Sequence, residues 1–197
     1  MRVKMIRPLV AVMLLATLSG CISLGGKPPE ALLSLTSDAR VPVDQGKTTR
    51  DTQAIGVSIP VLPAALRNQR IAVQTGAAFA YLPKAAWADT PAALFRAVLA
   101  ETIEAKTGRF VPDQRNGALT PDTRLAGTLS AFQLLGGQGK VLVIFDATLA
   151  SSGSDILKTR RFEATAPVAA EDAASVSAAL NRAANAVAGD VATWVGA

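Results

Sequence analysis

Nucleophilic and proton-transfer chemistry draws on a short list of side chains, and this sequence offers few of them. It has one cysteine, Cys21, and no histidine, so the usual general base and the commonest zinc ligand are both absent. Ser151, Ser152 and Ser154 stand in a Ser-Ser-Gly-Ser run. That is turn composition, with no Gly-x-Ser-x-Gly elbow to lift a hydroxyl toward a base. Gly137-Gln138-Gly139-Lys140 invites comparison with a phosphate-binding loop. Such a loop needs glycine where the chain has Leu134, serine or threonine where it has Val141, and a helix N-terminus behind it. The flanking runs are strand-like, so a hairpin turn is expected there instead. Lys158, Arg160 and Arg161 form the densest basic group and read as a solvated strand face rather than an anion site. Trp87 either anchors the core or serves a contact surface. No catalytic set is assembled, and the chain reads as a non-enzyme without metal or cofactor.

Cys21 carries the one clear chemical signal. Arg2, Lys4 and Arg7 precede an apolar run from Pro8 to Leu18, and small residues follow at Ser19 and Gly20; this is the layout of a secretory signal peptide. The run is too short to cross ~30 Å of hydrocarbon, which takes about 20 apolar residues. Leu18-Ser19-Gly20-Cys21 resembles the bacterial lipobox, in which an aliphatic residue and two small ones precede an obligatory cysteine. The resemblance implies S-diacylglycerol on Cys21, cleavage before it, and N-acylation of the new amine. A lone cysteine also excludes an internal disulfide. Residues 1–20 are thus read as a lipoprotein signal peptide, 21–30 as a lipidated tether containing Gly25-Gly26-Lys27-Pro28-Pro29, and 31–197 as one domain. The residue after Cys21 is Ile22 rather than Asp, which in sorted lipoproteins goes with the outer membrane, facing the periplasm.

The signal peptide also accounts for most of the basicity. Its three basic residues, with no acidic one, bring the net charge from +5 to +2 when removed. A nucleic-acid partner is therefore not indicated.

Elements follow from periodicity. Ala31–Leu35, Ile55–Ile59, Arg70–Gln74 and Ala78–Leu82 read as strands, with Ile55, Val57 and Ile59 alternating to one face. Thr90-Pro91 signals a helix start, and Leu94, Phe95, Val98, Leu99, Thr102 and Ile103 give one apolar stripe up to Lys106 and a stop at Gly108. Arg124–Leu135, Lys140–Ala150 and Asp155–Ala166 form a three-strand meander around glycine-rich and serine-rich turns. In its middle strand Val141, Val143, Phe145, Ala147 and Leu149 point one way and Leu142 and Ile144 the other, which predicts cover on both faces for part of its length. Val176, Leu180, Ala183, Val187, Val191 and Trp194 mark a final helix over about 170–195, and Asp38–Gln53 reads as a polar loop. The expected fold is α+β: a two-layer sandwich, its mixed and mostly antiparallel sheet carrying two main helices on one face.

Two stretches, Ile55–Val73 (IGVSIPVLPAALRNQRIAV) and Trp87–Ile103 (WADTPAALFRAVLAETI), are similar to the ABC-type transport auxiliary lipoproteins. They resemble that family's strand, Leu-Pro connector and second strand, and its tryptophan entry into a helix carrying Arg and Leu. The resemblance implies a non-catalytic lipoprotein that docks on a periplasmic MCE (MlaD-like) protein, served by an inner-membrane permease and ATPase, and helps to move phospholipid or other hydrophobic solutes between membranes. Leu62, Pro63 and Leu66 in the connector, with Trp87, are the candidate partner contacts. Homo-oligomerisation stays open. The alternative is an autonomous periplasmic lipid carrier or an envelope-structural lipoprotein.

Overall fold

The computed structural model describes residues 29–43, 49–50, 53–113 and 120–196. Cys21, the signal segment, the tether as far as position 28 and the middle of the 38–53 stretch lie outside the described residues. In chain order come β1 (Ala31–Leu33), β2 (Ile55–Val57), β3 (Arg70–Thr75), β4 (Ala78–Trp87), α1 (Pro91–Thr107), β5 (Thr123–Leu135), β6 (Lys140–Ser151), β7 (Leu157–Pro167) and α2 (Ala173–Gly196). The strands join in one seven-stranded sheet ordered β1-β4-β3-β5-β6-β7, with β2 beside the start of β5. β3–β4, β5–β6 and β6–β7 are antiparallel, whereas β1–β4, β3–β5 and β2–β5 are parallel. The fold is therefore α+β with a mixed sheet.

One face of the sheet and the two helices share a single core. Leu125, Leu129, Phe132 and Leu134 of β5 and Val141, Val143, Phe145 and Ala147 of β6 are buried in it with Phe95, Leu99 and Ile103 of α1 and Val176, Leu180 and Val187 of α2. Phe95 meets Phe145 edge to face at 5.4 Å, and Phe162 meets Trp194 in the same way at 5.6 Å. The buried Ala179, Ala183, Ala184 and Ala188 leave little side-chain bulk on α2, so it can approach its neighbours closely. The α1 boundaries follow the sequence signals: Ala93 N donates to the Thr90 hydroxyl at 3.4 Å, Pro91 opens the first turn, and Gly108 closes the last one at φ 70°.

Four expectations need correction. The first two strands stop early, at Leu33 instead of Leu35 and at Val57 instead of Ile59. Leu142 and Ile144 are only half-buried, because both helices lie on the other face; β6 is central but covered on one side. The fourth strand does not end at Leu82 but runs on to Trp87. Between Tyr81 (opposite Ala72) and Ala86 (opposite Arg70), β4 uses five steps where β3 uses two. Lys84, at φ 67°, sits in this bulge. The odd number of extra residues changes which face the later side chains occupy, so Trp87 enters the core.

Beyond β1 the chain crosses α2 and is held by two asparagines one turn apart. Thr36 N donates to Asn181 Oδ1 at 2.8 Å, Asp38 N to Asn185 Oδ1 at 2.8 Å, and Asn185 Nδ2 to Thr36 O at 2.8 Å. The Ser37 hydroxyl, buried beneath, lies 2.9 Å from that of Thr102 on α1. Asn185→Ala should cost about 1 kcal/mol in urea denaturation. Its Asp38 amide should then exchange with solvent faster than in the unaltered protein.

Candidate interaction surface

The four residues singled out from the sequence occupy different environments. Leu62, Leu66 and Trp87 are 7%, 3% and 1% exposed, and Pro63 is exposed. Trp87 stacks edge to face on Phe132 at 5.6 Å, with its backbone N–H bonded to Gln69 O at 2.6 Å. Three of the four side chains thus build the core and hold the connector, rather than face a partner. The apolar groups that the connector turns outward are Ile59 and Val61, at 50% and 63% exposure.

The connector is firmly fixed. Ser58 N donates to Leu125 O, Val61 N to Gly127 O, and Leu129 N to Val61 O, each at 2.9 Å. Leu62 and Leu66 then sink into the core across a short 3-10 turn, Ala64–Leu66, and the Tyr81 hydroxyl closes the turn by donating to Ala65 O at 2.9 Å. Arg67 Nε adds a bond to Leu62 O at 3.0 Å. Arg96 of α1 reaches behind β2: its Nε donates to Val57 O at 3.0 Å and its Nη2 to Pro112 O at 3.1 Å. This guanidinium ties a helix, a strand and the segment after α1 together, so that Ile59 and Val61 stand on a rigid base.

Sequence reasoning missed these three residues. Ile59 and Val61 belong to a run in which every second side chain is apolar, which marks a strand face without saying that its far end is left exposed beside β5. Arg96 could have been found as a cation on the flank of an otherwise apolar helix stripe.

The helix-free face of the sheet combines apolar and charged groups. Register places Ala131, Gln133 and Leu135 of β5 beside Leu142 and Ile144 of β6, and Asp146 beside Arg161 of β7. The Gln74 and Gln133 side-chain amides pair across β3 and β5. Arg161 grips Asp146 through Nε at 2.5 Å and Nη2 at 3.0 Å, while the Ser130 hydroxyl donates to the same carboxylate. Arg161 first, with Ser130 assisting, holds the Asp146 carboxyl below its ordinary range. Asp172, at the start of α2, is lowered by the Ser175 backbone N–H and hydroxyl, at 2.8 and 2.9 Å.

Because both carboxyls titrate lower in the folded chain than in the unfolded one, they stabilise the fold above the unfolded value of about 4. That contribution is lost as the pH falls through their folded values. The urea midpoint should therefore drop on acidification below about pH 4. Asp146→Asn should flatten part of that slope, with a small effect at neutral pH because the pair is largely solvated.

Two surface hollows among the described residues carry charge. One of about 760 Å³ at the C-terminal ends of both helices is lined by Lys106, Thr107, Arg109, Thr193 and Val195 among others. Another of about 440 Å³ is bordered by Asp38, Thr102, Lys106, Arg182 and Asn185. An acyl-chain slot would instead be enclosed and mostly apolar. Among the described residues, no three His, Cys, Asp or Glu side chains converge as a metal site, and no helix is long and apolar enough to cross a membrane.

Two crystal structures share this architecture. One, of an uncharacterized protein, superposes with a TM-score of 0.68 at 15% identity, covering 85% of this chain and 99% of that one. The other, of a protein from Xanthomonas campestris, gives 0.68 at 19% identity, covering 84% and 94%. At such identities the likeness is one of fold. No curated protein matches the chain in sequence. The family model for the ABC-type transport auxiliary lipoprotein component matches residues 33–192, from the last residue of β1 into the final turns of α2. With the Leu-Pro connector, the tryptophan before α1 and the closing alanine-rich helix all inside that span, the chain belongs to the ABC-type transport auxiliary lipoprotein family.

Proposed function

We propose that the protein is a non-catalytic, outer-membrane lipoprotein of an ABC transport system, and that it acts by docking on a periplasmic MCE-type protein served by a permease and an ATPase. The cargo would be phospholipid or another hydrophobic solute. The observation that carries this reading is the family match over residues 33–192, on a domain whose connector presents Ile59 and Val61 from a rigid base. Such an apolar pair, framed by exposed Pro63, suits a protein contact. Leu62, Leu66 and Trp87 serve the contact by positioning it.

Anchoring at Cys21 raises the local concentration of the domain for its partner. Two or more acyl chains hold a protein in one leaflet, where a single chain does so only marginally. Cys21→Ala should abolish incorporation of labelled palmitate and leave the precursor uncleaved. Undiminished labelling would overturn the anchor. Pull-down from crosslinked envelopes should recover an MCE-type protein, and its absence would sink the docking assignment. The carrier alternative requires stoichiometric phospholipid on the domain in native mass spectrometry.

A further inference from the structure

A second exposed apolar feature lies on the β3–β4 hairpin. No charged residue occurs between Arg70 and Lys84. The tip, Thr75-Gly76-Ala77-Ala78-Phe79-Ala80, is exposed throughout, with Phe79 at 43%. Tyr81 follows, half-buried, with the Arg70 guanidinium 4.5 Å from its ring centroid. Beside the tip lies the β5–β6 turn, joined to it by Gly136 N donating to Gln74 O at 2.8 Å. Two carboxylates lie near this end: Glu171 accepts from Gly137 N at 2.8 Å, and Glu30 stands 3.4 Å from Lys84 Nζ. An uncharged tip that exposes an aromatic ring, with Arg70 behind it, is an arrangement that settles at a bilayer interface, the ring at the headgroup level and the cation toward phosphate.

The entry of the chain says which surface the tip faces. β1 pairs with β4 in parallel, starting at Ala31 opposite Ala85, and Glu30 N donates to Lys84 O at 2.7 Å. In a parallel pair the chain enters β1 from the side on which β4 begins, which is the hairpin tip. From Lys84 back to Phe79 is less than the ~17 Å of five extended steps, because the bulge at Lys84 shortens β4. The nine peptide steps from Cys21 to Glu30 reach at most about 30 Å. An acylated Cys21 therefore keeps the domain within reach of its bilayer, with the hairpin end foremost.

We infer that the tip of the β3–β4 hairpin, through Ala78 and Phe79, rests on the phospholipid surface that holds the anchor and fixes the orientation of the domain above it. This rests on the proposal that Cys21 is acylated. It leaves Ile59 and Val61, at the other junction of the sheet beside β5, for the protein partner.

The test uses full-length lipoprotein reconstituted in vesicles of phosphatidylethanolamine and phosphatidylglycerol. Phe79→Cys and, separately, Ala78→Cys carry an environment-sensitive fluorophore; Ser152→Cys, in the turn at the opposite end of β6, is the control. The expected result is a blue shift and loss of more than half the emission with nitroxide-labelled lipid at positions 78 and 79, and neither at 152. Vesicle flotation reports the anchor separately. Floating protein without quenching at 78 or 79 overturns hairpin docking and leaves the anchor standing. A blue shift without quenching assigns the hairpin to a protein contact, which also overturns it. Failure to float overturns the anchor and the docking together.

Discussion

Trp87→Ala should remove about 3–5 kcal/mol of stability, the usual cost of emptying a buried aromatic site. Against a total of about 5–15 kcal/mol for a domain of this kind, that change is severe. Trp87 is 1% exposed, stacks on Phe132 and ends the strand that leads into α1. Its loss therefore leaves a hollow at the junction of β4, β5 and the first helix. Urea denaturation of the purified domain should show the midpoint falling steeply. A pull-down with the same variant would lose its partner through unfolding, so it cannot locate a contact. The informative change for docking is Val61→Asp, at a side chain 63% exposed. It should leave the stability within about 0.5 kcal/mol of the parent while reducing capture of the proposed MCE-type partner. Unchanged capture would remove Val61 from the contact.

The second large effect is expected at Gly127. It lies in β5 opposite Ala147 of β6, and a Cβ there would stand 2.2 Å from the Asp146 carbonyl oxygen and 2.7 Å from the Phe145 ring. The carbonyl belongs to a paired strand and cannot swing away. Gly127→Ala must therefore part β5 from β6 or push Phe145 against Phe95, at a cost of roughly 3 kcal/mol, the upper part of the range for overpacking. Gly76→Ala provides a contrast: its φ of 59° strains a side chain, but nothing lies within 4 Å, so the cost should be about 1 kcal/mol. Equal effects at the two sites would refute the steric account.

Most of the architecture was readable from local pattern. The stripe of Phe95, Val98, Leu99 and Ile103, capped by Thr90 and stopped by Gly108, defines α1 with no help from tertiary structure. The same holds for the alternation of Val141, Val143, Phe145 and Ala147 in β6. What periodicity could not supply was the identity of the covering layer. Leu142 and Ile144 are apolar, and only the placement of both helices on the other side leaves them half-open. The bulge at Lys84 was equally hidden, since a lysine with positive φ carries no sequence mark. It shifts the alternation in β4 and sends Trp87 inward. For the candidate surface, the sequence picked out the connector but could not say which of its apolar side chains are buried. Leu62 and Leu66 are apolar groups in a proline-rich connector; a 3-10 turn folds them under, while Ile59 and Val61, beyond the end of β2, stay exposed.

The parallel docking of β1 has a mechanical side. Glu30 N bonds to Lys84 O, and Ala88 N bonds to Leu33 O, so the short strand is stitched to β4 by bonds lying across its axis. Tension on the N-terminal end, directed along the strand, loads these bonds together in shear instead of opening them one after another. Past β1 the same tension meets the Asn181 and Asn185 clasp on α2. Held between a membrane and a partner, the domain would resist being pulled apart through its barrier to unfolding rather than its equilibrium stability. If Cys21 is acylated as proposed, the three-residue β1 would work as a strain relief at the point where the leash is tied.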